Sequence, residues 1–214
     1  MSSADGVPGA APRPSLTSLP NLLGLFRIAA TPVVIGLLVW TPGFDGAGLL
    51  AFVVFGVAAA TDFVDGRLAR ARGEVNALGV FMDLTADKVL VAGVLVALVE
   101  INLLPTWIAA LLIVRELVVQ GVRQVAATSD VVMPSRALGK GKTVATLVGM
   151  GLLLLFFDAI SGGPLSAIGM EVVIWIYDIG YWTMILAAAL SVVSGWEYVR
   201  AALPVLTRRG EPPT

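Results

Sequence analysis

The chain of 214 residues contains neither cysteine nor histidine. The lack of cysteine excludes disulfides, thiol catalysis and thiolate metal sites. The lack of histidine removes the most common general base and a common metal ligand. Charged residues are also few, at 14% of the chain, whereas 57% of the residues are hydrophobic. This composition is typical of an integral membrane protein, so acid, base or metal chemistry must use carboxylates, lysine, tyrosine or hydroxyl groups.

Six apolar stretches are long enough to cross about 30 Å of hydrocarbon as helices. Their approximate limits are 19–41, 48–71, 78–101, 105–126, 140–159 and 176–203. The sequence therefore predicts an all-α polytopic membrane protein with six transmembrane helices. We expect a disordered leader over 1–17, a membrane domain over 18–204 and a cytoplasmic tail over 205–214. We also expect a loop over 160–175, where Gly, Pro, Ser and an acidic residue occur.

The positions of the basic residues predict the orientation of these helices. With six spans, both termini share one side of the membrane with the connections near 72–78 and 127–139. All 14 Lys and Arg residues lie in those segments or in the nearest span ends. The opposite connections carry only acidic residues, namely Asp45, Glu100, Asp158 and Glu171. Because basic loops tend to stay in the cytoplasm, we expect both termini on the cytoplasmic side of the membrane.

Four aspartates lie near the predicted cytoplasmic ends of the second and third spans. Asp62 and Asp65 are three residues apart, and Asp83 and Asp87 are four residues apart. Each spacing places both carboxylates on one face of a helix, and the short connection makes the two helices antiparallel neighbours. A charge at the centre of a span costs at least about 2.5 to 3.5 kcal/mol, so this cluster needs a compensating role.

Converging carboxylates repel one another unless protons or cations lie between them. All-oxygen ligands favour Mg²⁺ or Mn²⁺, and two such ions can polarise a phosphoryl group and orient a nucleophile. Gly66, Ala69 and Gly79 leave backbone bare beside the aspartates, and Arg70 is placed to meet a phosphate. Simple pairing with nearby basic residues is the alternative, but it requires neither the carboxylate spacing nor the glycines.

Residues 62–87 form the pattern D-x2-D-G-x2-A-R-x8-G-x3-D-x3-D without a mismatch. This pattern resembles the signature of the CDP-alcohol phosphatidyltransferases. The resemblance implies a six-helix, homodimeric membrane protein in which an acceptor hydroxyl attacks the phosphate carrying diacylglycerol, releasing CMP. By motif position it implies that Asp62, Asp65, Asp83 and Asp87 bind two Mg²⁺ or Mn²⁺ ions. It also implies that Asp87 is the catalytic base.

The same resemblance places the cytidine diphosphate of the donor against the first aspartate and the small residues of the motif. The implied donor contacts are Asp62, Gly66, Ala69, Arg70 and Gly79. Asn21 and Arg27, at the cytoplasmic end of the first span, are further candidates for donor binding. Helix capping by the asparagine and snorkelling by the arginine are the alternatives.

Four other stretches resemble the phosphatidylglycerophosphate synthase branch of the family. They are PNLLGLFR at 20–27, ADKVL at 86–90, RELVVQGVR at 115–123 and GKGKT at 139–143, and Gly24 departs from the threonine common in that branch. The resemblance implies that CDP-diacylglycerol and glycerol 3-phosphate give phosphatidylglycerophosphate and CMP. The alternatives are inositol phosphate, another polyol or phosphatidylglycerol as acceptor. A divalent-cation transporter, a different class, predicts acidic groups across the whole bilayer rather than at one end.

Five basic residues outside the motif are candidates for binding the acceptor phosphate. They are Arg115, Arg123, Arg136, Lys140 and Lys142. Arg115 lies near the middle of its span and therefore needs a partner or a polar cavity. Arginine holds phosphate by bidentate donation, and lysine adds a point charge. Contact with anionic lipid and pairing with Glu116 or with the aspartates are the alternatives.

Overall fold

The computed structural model describes the backbone of residues 19–40, 44–72, 77–128 and 137–207. Side chains are described within these ranges, except those of residues 19–21, 62–72, 77–84, 127–128, 137 and 202–207. The predicted leader, 1–17, lies outside the described residues, and the predicted domain limits stay predictions.

The described part of the chain is helical and contains no strand. Its long helices are α1 (Leu19–Val39), α2 (Ala47–Arg72), α3 (Ala77–Glu100), α4 (Thr106–Thr128), α5 (Ala137–Ile160) and α6 (Met170–Thr207). A short 3₁₀ helix, Pro164–Ile168, lies between α5 and α6. The predicted all-α fold is confirmed for this part of the chain, and each predicted span corresponds to one helix.

The connection before α6 differs from the loop predicted over 160–175. Pro164 occupies the first turn of the 3₁₀ helix, where its missing N–H costs no hydrogen bond. Gly169 separates the 3₁₀ helix from α6. Its φ of 91° is a backbone conformation that is strained for residues with a side chain. The apolar residues that follow then continue as helix, so α6 begins at Met170 rather than near residue 176.

Three stretches among the described residues are long and apolar enough to span a membrane. They are Leu22–Val39 in α1, Leu138–Ile160 in α5 and Met170–Ala201 in α6. A shorter apolar stretch, Ala47–Thr61, lies in α2. These helices indicate an integral membrane protein.

The helices pack in a bundle around one apolar core. α1 packs against α2 and α3, whereas α6 packs against α4 and α5. Small residues bring α5 and α6 close together: a Cβ on Gly149 would lie 2.7 Å from Met184 Sδ, and one on Gly180 would lie 3.0 Å from Leu152 Cβ. Such close approach is a common way for membrane helices to associate, since dispersion contacts replace the hydrophobic effect between them.

A buried carboxylate ties α5 to α2 at the end of the bundle away from the aspartate motif. Asp158 is fully buried, and its carboxylate oxygens accept hydrogen bonds from Leu49 N (2.9 Å) and Leu165 N (3.0 Å). These donors lie in the first turns of α2 and of the 3₁₀ helix, where N–H groups lack helical partners. Gly48 and Gly163 make room, because a Cβ on either would come within 2.4 Å of Asp158 atoms.

Candidate active site

A cavity of about 390 Å³ lies between α3, α4 and α5. Its lining is largely apolar, and its polar lining residues come from all three helices. They are Thr85, Asp87, Lys88, Glu116, Gln120, Lys142, Thr143 and Thr146. An apolar pocket with a few converging charged groups is the usual form of a small-molecule site.

Asp87 and Lys142 line this cavity together, although 55 positions separate them in the sequence. Asp87 comes from α3, where it lies one turn beyond the position of Asp83. Lys142 comes from the first two turns of α5, and its side chain is only 10% exposed. The fold therefore brings the predicted base and one predicted phosphate ligand to the same cavity.

Glu116 lines the cavity from α4 and contacts three basic side chains, of which Lys88 and Lys142 also line the cavity and Arg115 does not. Lys142 Nζ donates to Glu116 Oε2, and Arg115 Nη1 donates to the same oxygen over 3.4 Å. Lys88 Nζ lies 3.9 Å from Glu116 Oε1. The pairing of Arg115 with a neighbouring acid, which the sequence left as an alternative, therefore occurs, and it involves Lys142 as well.

Arg115 is also held by α6. Its Nε donates to Ser191 O over 3.2 Å, and its Nη2 donates to Ser194 Oγ over 2.7 Å. Its guanidinium carbon lies 5.9 Å from the centre of the Tyr198 ring, within the range of a cation–π contact. The arginine expected near mid-membrane thus has several polar partners.

Arg123 lies two turns further along α4 and is exposed, with its guanidinium carbon also 5.9 Å from the Tyr198 ring. Tyr198 itself is buried, at 6% exposure. Sequence reasoning missed Ser194 and Tyr198. The signal for them was a run of small and hydroxyl residues, SVVSGWEY at 191–198, in an otherwise apolar helix.

The other predicted site residues divide into two groups. Lys140 is exposed and does not line the cavity, and Arg27 is buried at 1% exposure, so it does not snorkel to the surface. The remaining predicted residues have side chains outside the described part of the chain. They are Asn21, Asp62, Asp65, Gly66, Ala69, Arg70, Gly79, Asp83 and Arg136.

Among the described side chains, no group of three or more possible ligands could hold a metal ion. Three of the four aspartates predicted to bind metal lie outside that set. The chemistry of the predicted donors nevertheless fits a hard divalent cation, because they are four carboxylates close together in the sequence and the chain has no thiolate or imidazole ligand. α2 and α3, which carry these aspartates, contact each other.

The helical fold agrees with a sequence comparison: residues 17–194 match the profile of the CDP-alcohol phosphatidyltransferases, and the chain belongs to this family. It is 34% identical over 196 residues to the CDP-diacylglycerol–glycerol-3-phosphate 3-phosphatidyltransferase of Bacillus subtilis strain 168, covering 85% of this chain and 93% of that protein. It is also 34% identical over 192 residues to the probable phosphatidylglycerophosphate synthase of Mycobacterium tuberculosis strain H37Rv, covering 89% and 84%. The Rickettsia bellii strain RML369-C CDP-diacylglycerol–glycerol-3-phosphate 3-phosphatidyltransferase is 32% identical over 184 residues, covering 86% and 94%.

Proposed function

We propose that this enzyme transfers the phosphatidyl group of CDP-diacylglycerol to glycerol 3-phosphate, forming phosphatidylglycerophosphate and CMP. Its relatives of 34% identity are named for this reaction or its product. The observation that carries the proposal is the cavity that Asp87 and Lys142 share. A base and a cation on one cavity suit an acceptor that has both a hydroxyl and a phosphate.

The basic residues at and beside the cavity favour an anionic acceptor. Lys88 and Lys142 line the cavity together with the carboxylates of Glu116 and Asp87. Arg115 does not line it, but it pairs with Glu116 from behind and adds a third positive charge against the two negative ones. The excess positive charge attracts an anion, and the partial exclusion of water strengthens its interaction with the basic groups. We propose that Arg115 and Lys142 hold the phosphate of glycerol 3-phosphate while remaining in contact with the Glu116 carboxylate.

The three other predicted acceptor residues have different parts in this proposal. Arg123 is exposed beside Tyr198 and Lys140 is exposed on α5, so both draw the anion towards the cavity by charge at longer range. The contact of Arg136 with the acceptor phosphate stays a prediction, because Arg136 lies outside the described residues.

The acceptor bound in this way presents its free hydroxyl towards Asp87. We propose that Asp87 takes the proton of this hydroxyl as the oxygen attacks the phosphorus that carries diacylglycerol. The new bond joins the glycerol oxygen to that phosphorus, and the bond to the bridging oxygen of the diphosphate breaks. CMP leaves with the bridging oxygen and its electron pair.

Asp62, Asp65, Asp83 and Asp87 are the proposed ligands of two Mg²⁺ or Mn²⁺ ions. Bound there, the cations would neutralise the diphosphate and stabilise the leaving CMP. We propose that the donor diphosphate lies against Asp62 and the motif residues that follow it. These are Gly66, Ala69, Arg70 and Gly79, with Asn21 and Arg27 as further contacts from α1.

We further propose that α1 to α6 all span the cytoplasmic membrane, that both termini and the cavity mouth face the cytoplasm, and that the enzyme is a homodimer. The basic residues support this orientation, because all of them fall on one side of a six-span arrangement. A lipid donor dissolved in the bilayer and a soluble acceptor would then meet at the cytoplasmic surface.

Purified protein, cytidine-labelled CDP-diacylglycerol and a panel of acceptors test the assignment. We expect CMP release with glycerol 3-phosphate but not with inositol phosphate, glycerol or phosphatidylglycerol. A chelator should stop the reaction, and added Mg²⁺ or Mn²⁺ should restore it. CMP release that responded to inositol phosphate and not to glycerol 3-phosphate would overturn the proposed acceptor.

A further inference from the structure

We infer that Ser194 is a positioning residue: its hydroxyl fixes the Arg115 guanidinium at the acceptor-phosphate site. The inference rests on the proposed function, because it assumes that Arg115 binds the acceptor phosphate. It adds a residue of α6, whose described side chains do not line the cavity.

The Ser194 hydroxyl is oriented by its own helix. Ser194 Oγ donates to Leu190 O over 2.7 Å, one turn earlier in α6. With its proton directed to that carbonyl, the oxygen presents lone pairs to Arg115 Nη2, which lies 2.7 Å away. The serine therefore acts as a fixed acceptor.

The backbone of α6 packs closely against the Arg115 side chain. A Cβ on Gly195 would lie 3.1 Å from Arg115 Cγ, so the arginine stem lies directly against the glycine. Ser191 O accepts from Nε on the same side. The guanidinium is thus held at two nitrogens by adjacent turns of α6.

The hydrogen-bond donors of Arg115 are only partly consumed by these contacts. A guanidinium has five N–H groups. One donates to Ser191 O, one to Ser194 Oγ and one to Glu116 Oε2. Two N–H groups, one on each terminal nitrogen, have no partner among the described residues and are available for bidentate donation to a phosphate.

Because the contact between Ser194 and Arg115 is buried, we expect its loss to have a measurable effect. Ser194 is fully buried, and the Arg115 side chain is 11% exposed, so water can replace the lost hydroxyl only poorly. Ser191 is also fully buried, yet among the described residues its Oγ has no hydrogen-bond partner. Two serines three residues apart therefore differ in one respect that matters here, the side-chain bond to Arg115.

This difference provides a matched pair of variants. Ser194→Ala should raise the KM for glycerol 3-phosphate about tenfold or more, as expected for losing a hydrogen bond to a charged group. The kcat and the KM for CDP-diacylglycerol should stay within about twofold, because chemistry and donor binding are untouched. Ser191→Ala keeps the carbonyl that accepts from Nε and should leave all three constants unchanged. Ser194→Thr, which retains a hydroxyl, should restore most of the acceptor affinity.

An Arg115→Lys background tests whether the effect passes through the arginine. Lysine has no Nη2, so adding Ser194→Ala should raise the acceptor KM no further. A further rise, equal constants for the two serine variants, or a parallel change in kcat and donor KM would each overturn the positioning role. If the unaltered enzyme failed to use glycerol 3-phosphate, the proposed function itself would fall, and this inference with it.

Discussion

At the scale of single residues, Lys140 and Lys142 offer a direct comparison of two basic side chains that the sequence alone treats alike. Lys142 lines the cavity and donates to Glu116, whereas Lys140 is exposed on another face of α5. We expect Lys142→Met to raise the KM for glycerol 3-phosphate about tenfold or more, since a hydrogen bond to a charged group contributes about 1.5 to 3 kcal/mol. Lys140→Met should have a smaller effect, because it removes only longer-range attraction.

Steady-state kinetics in the acceptor concentration measure this difference. An effect of Lys140→Met equal to that of Lys142→Met would show that the cavity does not hold the acceptor phosphate. The KM for the donor should change little in either variant and serves as the internal control.

Asp87 is the residue on which the proposed proton transfer depends. Asp87→Asn keeps the shape of the side chain but removes its basicity, so kcat should fall at least about a hundredfold. Donor binding, measured by equilibrium titration with CDP-diacylglycerol, should persist because the other three aspartates remain. Glu100→Gln, at the exposed opposite end of α3, is the control and should retain turnover. Near-normal turnover of Asp87→Asn would eliminate the proposed base.

The sequence predicts the four aspartates as candidate metal ligands, because helical periodicity makes their three- and four-residue spacings informative on their own. The partners of Arg115 are a different case. Ser191 and Ser194 follow it by 76 and 79 residues, so their contact depends on how α4 packs against α6. Local spacing carries no information about that packing. The sequence therefore predicts that Arg115 needs polar partners, but it does not predict which residues these partners are.

At the scale of helices, Asp158 connects three elements through one buried carboxylate. The sequence alone suggests an acid in an outer connection, whereas the structure places it at the end of α5, capping α2 and the 3₁₀ helix. Asp158→Ala leaves two partly buried N–H donors without an acceptor, and each is expected to cost about 1 kcal/mol. We expect a clearly lower midpoint of thermal unfolding in detergent.

The control for this prediction is Asp178→Ala, which removes an exposed aspartate from α6 and should leave the midpoint unchanged. The acceptor KM of any Asp158→Ala protein that folds should stay near normal, because the carboxylate is remote from the cavity. An unchanged unfolding midpoint would mean that the hydrogen bonds of Asp158 do not stabilise the bundle.

The length of each apolar stretch predicts that it forms a helix. It does not predict where α6 begins, which is at Met170. The residues after Gly169 are as apolar as a span, and the prediction assigned them to a loop because of the Gly and Pro residues before them. Those residues instead form a compact 3₁₀ turn that ends at a glycine with positive φ. Turn residues indicated that the chain changes direction, but not where the next helix begins.

At the scale of the whole molecule, the contacts that stabilise the bundle and the charged residues of the cavity lie at different places along its length. Apolar packing and the Asp158 hydrogen bonds stabilise the end away from the motif. Charged residues from α3, α4 and α5 converge at the cavity, and α6 holds Arg115, which pairs with one of them, Glu116. This arrangement accounts for the few charges of the chain being concentrated where a charged acceptor could bind.

The central claim is that a hydroxyl of glycerol 3-phosphate attacks the phosphorus that carries diacylglycerol. Glycerol 3-phosphate with a heavy-oxygen label in the reacting hydroxyl tests it directly, with mass spectrometry of both products. We predict that the label appears in the phosphodiester of phosphatidylglycerophosphate and that CMP is unlabelled. Unlabelled lipid, or label in a cytidylyl product released together with phosphatidic acid, would contradict the proposed reaction.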